Sequence, residues 1–213
     1  MKPYIYRLIE AKRQWHHQVS PEDEAKGFRG WHSRGFLPHF DAPGVQQFLT
    51  WRLADSLPAS RRGEWEHLLR IEDEREKQKK LEAYLDRGHG SCVLRRYDVA
   101  ETVERTFLFD DGRCCRLLAW VLMPNHVHLL VEMWQKPLSK LLQSWKTLTS
   151  KRANTLLGRS GQIWQLDYRD RYIRNEEHYR KAVRYIENNP VNARLAKRPE
   201  DWRFSSAWWR TQP

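Results

Sequence analysis

Two apolar runs stand out along the chain, Arg116–Met123 (RLLAWVLM) and His126–Met133 (HVHLLVEM), parted by Pro124-Asn125. Their length and the break between them predict a β-hairpin buried on both faces or nearly so. Upstream, Val45–Leu53 (VQQFLTWRL) has the aromatics and branching of a strand, bounded by Pro43-Gly44 and Leu57-Pro58. Gly63–Arg87 predicts one long charged helix. Trp65, Leu68, Leu69, Leu81, Tyr84 and Leu85 give it a partial apolar stripe, its Glu72–Lys80 run reads as solvated, and Gly88-His89-Gly90 ends it. Tyr97–Phe109 is a second helix, with Val99, Val103 and Phe107 at four-residue spacing, and Lys140–Leu157 a third, apolar along Leu141, Leu142, Trp145 and Leu148. The aromatic, basic stretch Trp164–Ile173 reads as a loop or short strand. Asn175 predicts the N-cap of a helix from Glu176 to about Asn189, stopped by Pro190. Met1–His39 is polar and aromatic, with glycines at Gly27–Gly35, and gives no clear element.

Helices alternating with a hairpin and an earlier strand predict an α+β fold. The 213 residues fit one domain with a sizeable insertion, and 11 Trp argue against a disordered chain. The net charge of +11 points to a polyanionic partner: DNA, RNA or an anionic membrane. That charge is uneven. Trp134–Pro213 holds 17 Lys/Arg against 7 Asp/Glu, whereas Gly63–Gly112 holds 9 against 13. The alternative is that these basic side chains only solubilise helices. Cys92, Cys114 and Cys115 are odd in number and include an adjacent pair, which argues against a disulfide framework and for a reducing cytosol. No run approaches about 18 apolar residues, so no membrane span is expected.

The chemistry concentrates in two places. His126 and His128 are two apart on an expected strand, so both imidazoles face the same way, roughly 6.5–7 Å apart at the backbone. The pair can reach one metal ion, or can be two satisfied histidines beside a turn. On the helix after Asn175, Tyr179, Ala182, Val183 and Ile186 form an apolar stripe, and His178, Tyr185 and Asn189 form a second stripe along its edge. Tyr185 and Asn189 are one turn apart and can address one point, or can be packing and capping groups.

The run MPNHVHLLVE at Met123–Glu132 resembles the metal-binding motif of HUH nucleases. YIRNEEHYRKAVRYIENNPVNARLA at Tyr172–Ala196 resembles the tyrosine helix of the REP-associated tyrosine transposases, which are single-tyrosine HUH nucleases. DWRFSSAWW at Asp201–Trp209 is similar to that family's tail, and RGFLPHFDAPGVQQFLTWRL at Arg34–Leu53 to its first strand. The resemblance implies a ferredoxin-like or RRM-like antiparallel sheet with helices packed on one face and the tyrosine helix across the hairpin strand. It divides the chain into an N-terminal extension, residues 1–33, and a transposase domain, residues 34–213, with a helical insertion at about 60–110.

Carried over by position, His126, His128 and Asn189 match the metal ligands and Tyr185 the nucleophile, with Tyr179 a rival on the core-facing stripe. Two imidazoles and an amide oxygen leave open positions on the ion and favour Mg2+ or Mn2+ over a closed zinc site. The resemblance implies cleavage of single-stranded DNA folded as an imperfect hairpin, the repetitive extragenic palindrome, through a 5′-phosphotyrosine that the 3′-hydroxyl of another strand can resolve. Candidate phosphate contacts are Lys146, Lys151, Arg152, Arg169, Arg171, Arg174, Arg180, Lys181 and Arg184; Trp164, Tyr168 and Tyr172 among them could stack on bases or sit in the core. It further implies a bacterial, nucleoid-associated cytoplasmic protein, monomer or homodimer. The competing functions are a hairpin-binding protein that does not cut, and a relaxase or replication initiator of the wider HUH group.

Overall fold

The computed structural model describes residues 19–33 and 38–212. The sequence expectations for Met1–Gln18 and Arg34–Leu37 lie outside these. A short helix α1 (Pro21–Lys26), capped by the Ser20 side chain, leads into the hairpin β1 (Gly30–Ser33) and β2 (Pro38–Asp41). This hairpin straddles the boundary expected between residues 33 and 34. The chain continues through β3 (Gln46–Arg52), α2 (Arg62–Leu69), α3 (Glu74–Asp86), α4 (Tyr97–Leu108), β4 (Cys115–Leu122), β5 (His126–Met133), α5 (Leu138–Leu157), β6 (Arg169–Tyr172), α6 (Glu176–Asn192) and α7 (Ser206–Trp209).

The central sheet is antiparallel, in the order β4-β5-β3-β6, and helices pack on it, giving the expected α+β class. β5 lies inside the sheet and every one of its residues is buried. Its side chains alternate between two faces. Val127, Leu129, Val131 and Met133 join Leu49 and Trp51 of β3 and the apolar sides of α4 and α5 in the larger core. Leu130 joins Phe48, Ala119, Val121 and the Ala182 and Ile186 side of α6 on the other face. Helices therefore cover both faces, which corrects the expectation of helices on one. Leu130, Phe48, Ala119 and Val121 make an apolar patch on the second face too, and it has to be covered.

The tail closes the free edge of β4. Leu122 donates its backbone N–H to the Phe204 carbonyl, Trp202 donates its indole N–H to the Leu122 carbonyl, and the Trp120 backbone N–H meets Ser206 Oγ. An edge strand of this hydrophobicity would otherwise invite another chain. Cys92, Cys114 and Cys115 are free thiols. Among the described residues no helix is long and apolar enough to cross a membrane.

Two boundaries differ from the sequence reading. The single helix expected over Gly63–Arg87 is two helices. Asp73 takes extended backbone and its carboxylate accepts the Glu76 backbone N–H at 2.6 Å, capping α3 and ending the run from α2. Pro190 does not stop the tyrosine helix, which runs to Asn192. Proline lies in its last turn, and the backbone is closed beyond it by the Ala193 N–H on the Asn189 carbonyl at 2.9 Å. A proline so near the C-terminus forfeits one intrahelical bond and leaves the rest of the helix intact.

Candidate active site

β5 places His126 and His128 on the sheet face that α6 covers, and α6 brings Tyr185 and Asn189 to the same point. The two imidazoles are fully buried, with ring centroids 4.7 Å apart, and Tyr185 stands edge-on to His128 at 5.3 Å. Phe48 of β3 lies against both, 5.5 Å from His128 and 5.8 Å from Tyr185. Asn175 caps α6 as expected, its side chain accepting the His178 N–H at 2.8 Å. This cap fixes the start of the helix nearly three turns before Tyr185. The stripe read as His178, Tyr185 and Asn189 faces the site, while Tyr179, Val183 and Ile186 pack into the core beneath. Tyr179 packs there against the smaller core, with the charges of Glu176, Arg116, Arg210 and Glu187 near it.

The orientation of His126 is set by a chain of hydrogen bonds. The Asn125 amide nitrogen donates to the His89 carbonyl at 3.0 Å, which turns the amide oxygen toward His126 Nδ1 at 2.8 Å. Only a protonated Nδ1 can donate to that oxygen, so Nε2 carries the lone pair. Thr50, directly across the sheet from His128, meets its Nδ1 at 2.8 Å and leaves its Nε2 facing the same cluster. Burial pushes His126 down to about 3 and His128 well below the usual imidazole value, the latter also because His126 is beside it. Both rings are neutral at pH 7, as metal ligands must be.

Sequence reasoning missed the contribution of α3. Gln78, Glu82 and Asp86 form one stripe on this helix, each a turn apart, and each meets the site. Arg171 donates to Gln78 Oε1 at 2.6 Å, the Tyr185 hydroxyl donates to Glu82 Oε2 at 2.9 Å, and Asp86 Oδ1 lies 3.6 Å from His126 Nε2. Burial, then the charge of Glu82, raises Asp86 to about 7, and the nearby Asn189 amide partly offsets this. Tyr185 is pushed up from the usual phenol value by burial, by the charges of Glu82 and Asp86, and by its hydrogen bond to Glu82. As arranged, the phenol is held protonated.

The donor set fits a divalent cation. Of the ten buried side-chain N and O atoms lacking a protein hydrogen bond among the described residues, five belong to this cluster: His126 Nε2, His128 Nε2, Asp86 Oδ1, and both amide atoms of Asn189. Each such atom costs about 1–3 kcal/mol when nothing replaces its water, so their concentration at one point calls for a common partner. Among the described residues no three His, Cys, Asp or Glu side chains already close around one point. The set here is two imidazoles with an amide and a carboxylate from other elements.

Basic residues line a groove beside Tyr185: Arg75, Lys79, Arg171 and Lys181, with Arg169 and Arg174 further along. Five of the nine candidate phosphate contacts fall elsewhere. Lys146 donates to the carbonyls of Gln165, Leu166 and Asp167 and so staples a loop. Lys151 and Arg152 are exposed on α5, on the opposite side of the sheet, and Arg180 and Arg184 point outward from α6. Trp164 is core, its indole N–H bonded to Thr149 Oγ1 at 2.8 Å. Tyr168 and Tyr172 are partly buried against that core.

Residues 99–189 match the family described as Transposase IS200 like. The matched segment runs from α4 to Asn189, so it holds His126, His128, Tyr185 and Asn189 and leaves α3 outside. No curated protein matches the chain. Among solved structures, a REP-associated tyrosine transposase bound to a REP hairpin is 22% identical, with 79% of each chain covered and a TM-score of 0.47. A candidate transposase from Deinococcus radiodurans R1 is 15% identical, covering 74% of this chain and 96% of that one, with a TM-score of 0.31.

Asn125→Ala should weaken Mn2+ binding about 10–100-fold, because it releases the His126 ring from its tautomer and orientation. It should also cost about 1–3 kcal/mol of stability by stranding the His89 carbonyl and His126 Nδ1. Isothermal titration with Mn2+ and denaturant unfolding check both. Unchanged Mn2+ affinity would remove Asn125 from the account.

Proposed function

We propose that this chain, which carries an IS200-like transposase segment over residues 99–189, is a REP-associated tyrosine transposase: a metal-dependent nuclease and strand transferase for hairpin-forming single-stranded DNA, with Tyr185 as nucleophile. The observation that carries this reading is the meeting of His126 and His128 of β5 with Tyr185 of α6, Asn189 of the same helix joining them through Asp86. The solved relative bound to a REP hairpin suggests the same class of DNA for this chain.

Mg2+ or Mn2+, held by His126, His128 and Asn189, would supply Lewis-acid stabilisation of the charge that builds on the scissile phosphate. The protein's own groups do the rest. The groove residues Arg171, Arg174 and Lys181 hold the phosphates of the strand on either side of Tyr185. The Tyr185 phenol oxygen bonds to phosphorus while the bond to the 3′-oxygen breaks. Glu82, within hydrogen-bonding reach at 2.9 Å, takes the phenol proton, and the departing 3′-oxygen is protonated by water. The products are a 5′-phosphotyrosine and a free 3′-hydroxyl. Since the phosphodiester energy stays in the covalent link, the 3′-hydroxyl of another strand can reverse the step and join.

One observation favours a second reading, a protein that binds hairpins without cutting them: the phenol of Tyr185 is hydrogen-bonded to a carboxylate and lies between two acidic side chains. Covalent trapping separates the two. With a labelled hairpin oligonucleotide and Mn2+, the native chain should give an adduct stable to denaturing gels. Tyr185→Phe should give none while binding the hairpin within a few-fold of native affinity. Failure of the native chain to form an adduct at any metal concentration would favour the binding-only reading, and an adduct persisting in the Phe variant would move the nucleophile.

Binding should also fall steeply with salt. For single strands each phosphate contact contributes about 0.7 to the log–log slope. Replacing Arg174 and Lys181 together by Ala should therefore lower the slope by about 1.4, whereas the outward pair Arg180 and Arg184 should change it little. Equal effects from both pairs would show that the groove is not the DNA track.

A further inference from the structure

We infer that the inserted helix α3 supplies a further ligand to the metal site, the carboxylate of Asp86, so that four side chains from three elements hold the ion. The inference rests on the metal-dependent reading above, whose three donors come from the hairpin and the tyrosine helix. Asp86 lies outside the segment that matches the transposase family.

The first support is distance. Asp86 Oδ1 and His126 Nε2 are 3.6 Å apart, too far for a good hydrogen bond. Two donors that each sit about 2.1 Å from one ion stand roughly 3–4 Å from each other. The observed separation falls in that range. The second is the company they keep. Among the described residues Asp86 Oδ1, His126 Nε2 and His128 Nε2 are shielded and lack a well-formed hydrogen bond, and the Asn189 amide, fully buried like the two histidines, lies beside the Asp86 carboxyl group. A carboxyl group resting against two imidazole nitrogens with free lone pairs gives the cluster the anionic oxygen that a cation would hold in its charged form.

The third is the way α3 is held. Gln78, Glu82 and Asp86 recur at a spacing of four and so share one face of the helix. Gln78 is fixed by Arg171 and Glu82 by Tyr185, at 2.6 and 2.9 Å. Two contacts earlier on the same stripe leave Asp86 little freedom to turn away from His126. A hard, anionic oxygen is also the donor that Mg2+ and Mn2+ prefer, and it strengthens a site otherwise made of neutral groups. In consequence ion binding and the docking of the inserted helix are coupled: the ion ties α3 to the sheet.

The test uses the full chain without DNA. Free Mn2+ is followed by electron paramagnetic resonance during titration. Asp86→Ala and the isosteric Asp86→Asn should each weaken Mn2+ binding about ten-fold or more, while Glu76→Gln, exposed on the same helix, should leave it within two-fold. Melting in chelator verifies that each variant is folded. A contact readout follows from Asp86→Cys with Co2+, which should give a sulfur-to-cobalt charge-transfer band that disappears when His126→Ala is added. Native Mn2+ affinity in both Asp86→Ala and Asp86→Asn, with binding lost in His126→Ala, would overturn the role of Asp86 and leave the three-ligand reading in place. No Mn2+ binding by the native chain, or binding that survives loss of both histidines, would overturn both.

Discussion

The structure depends on two neutral imidazoles buried on the inner face of a strand, whose Nε2 atoms have no hydrogen-bond partner among the described residues. Leaving such groups dry is costly, and the fold spends several other interactions to keep them so. Asn125 and Thr50 occupy the opposite ring nitrogens, and Phe48 stacks on His128. Burial in turn keeps both rings unprotonated far below neutral pH. The same unpaired atoms are those that the proposed cation would satisfy.

Around this centre two helices divide the labour. α6 brings the nucleophile candidate and an amide, and α3 brings two carboxylates. The acids act in opposite senses on the chemistry. Their charges hold the Tyr185 phenol protonated, yet Glu82 is placed to take its proton, and a divalent cation among Asp86, His126 and Asn189 would offset the negative field. In the proposed reaction, the hydrogen bond from Tyr185 to Glu82 would make the phenol's reactivity depend on what binds the cluster and the groove. In the proposed function, the basic groove beside Tyr185 would give a strand's phosphates a path past the phenol.

Much of this was legible in the sequence, for physical reasons. The hairpin was readable because a strand buried on both faces cannot contain polar positions except where they have a use, and His126 and His128 break that rule on one face. The tyrosine helix was readable from its 3.6-residue period and its Asn175 cap. The role of α3 was not. An acidic residue every fourth position on a helix rich in Lys and Glu looks the same whether it faces water or a metal site, and only its partners Arg171, Tyr185 and His126 distinguish the two. The break before α3 had a local signal, Asp73 followed by Glu76, that the surrounding charge obscured. Among the basic residues, Arg180 could have been set aside by helix phase alone, since five residues place it roughly 140° around α6 from Tyr185. Lys146 could not, because the carbonyls it binds come from a loop whose path no periodicity describes.

The most direct test of the account is to locate a cation in a crystal of the chain grown with Mn2+, using its anomalous scattering. The account predicts one strong peak within coordination distance of His126 Nε2, His128 Nε2 and the Asn189 amide oxygen. No peak there at Mn2+ concentrations that saturate the protein in solution, or a peak elsewhere with the histidines still unpaired, would contradict it.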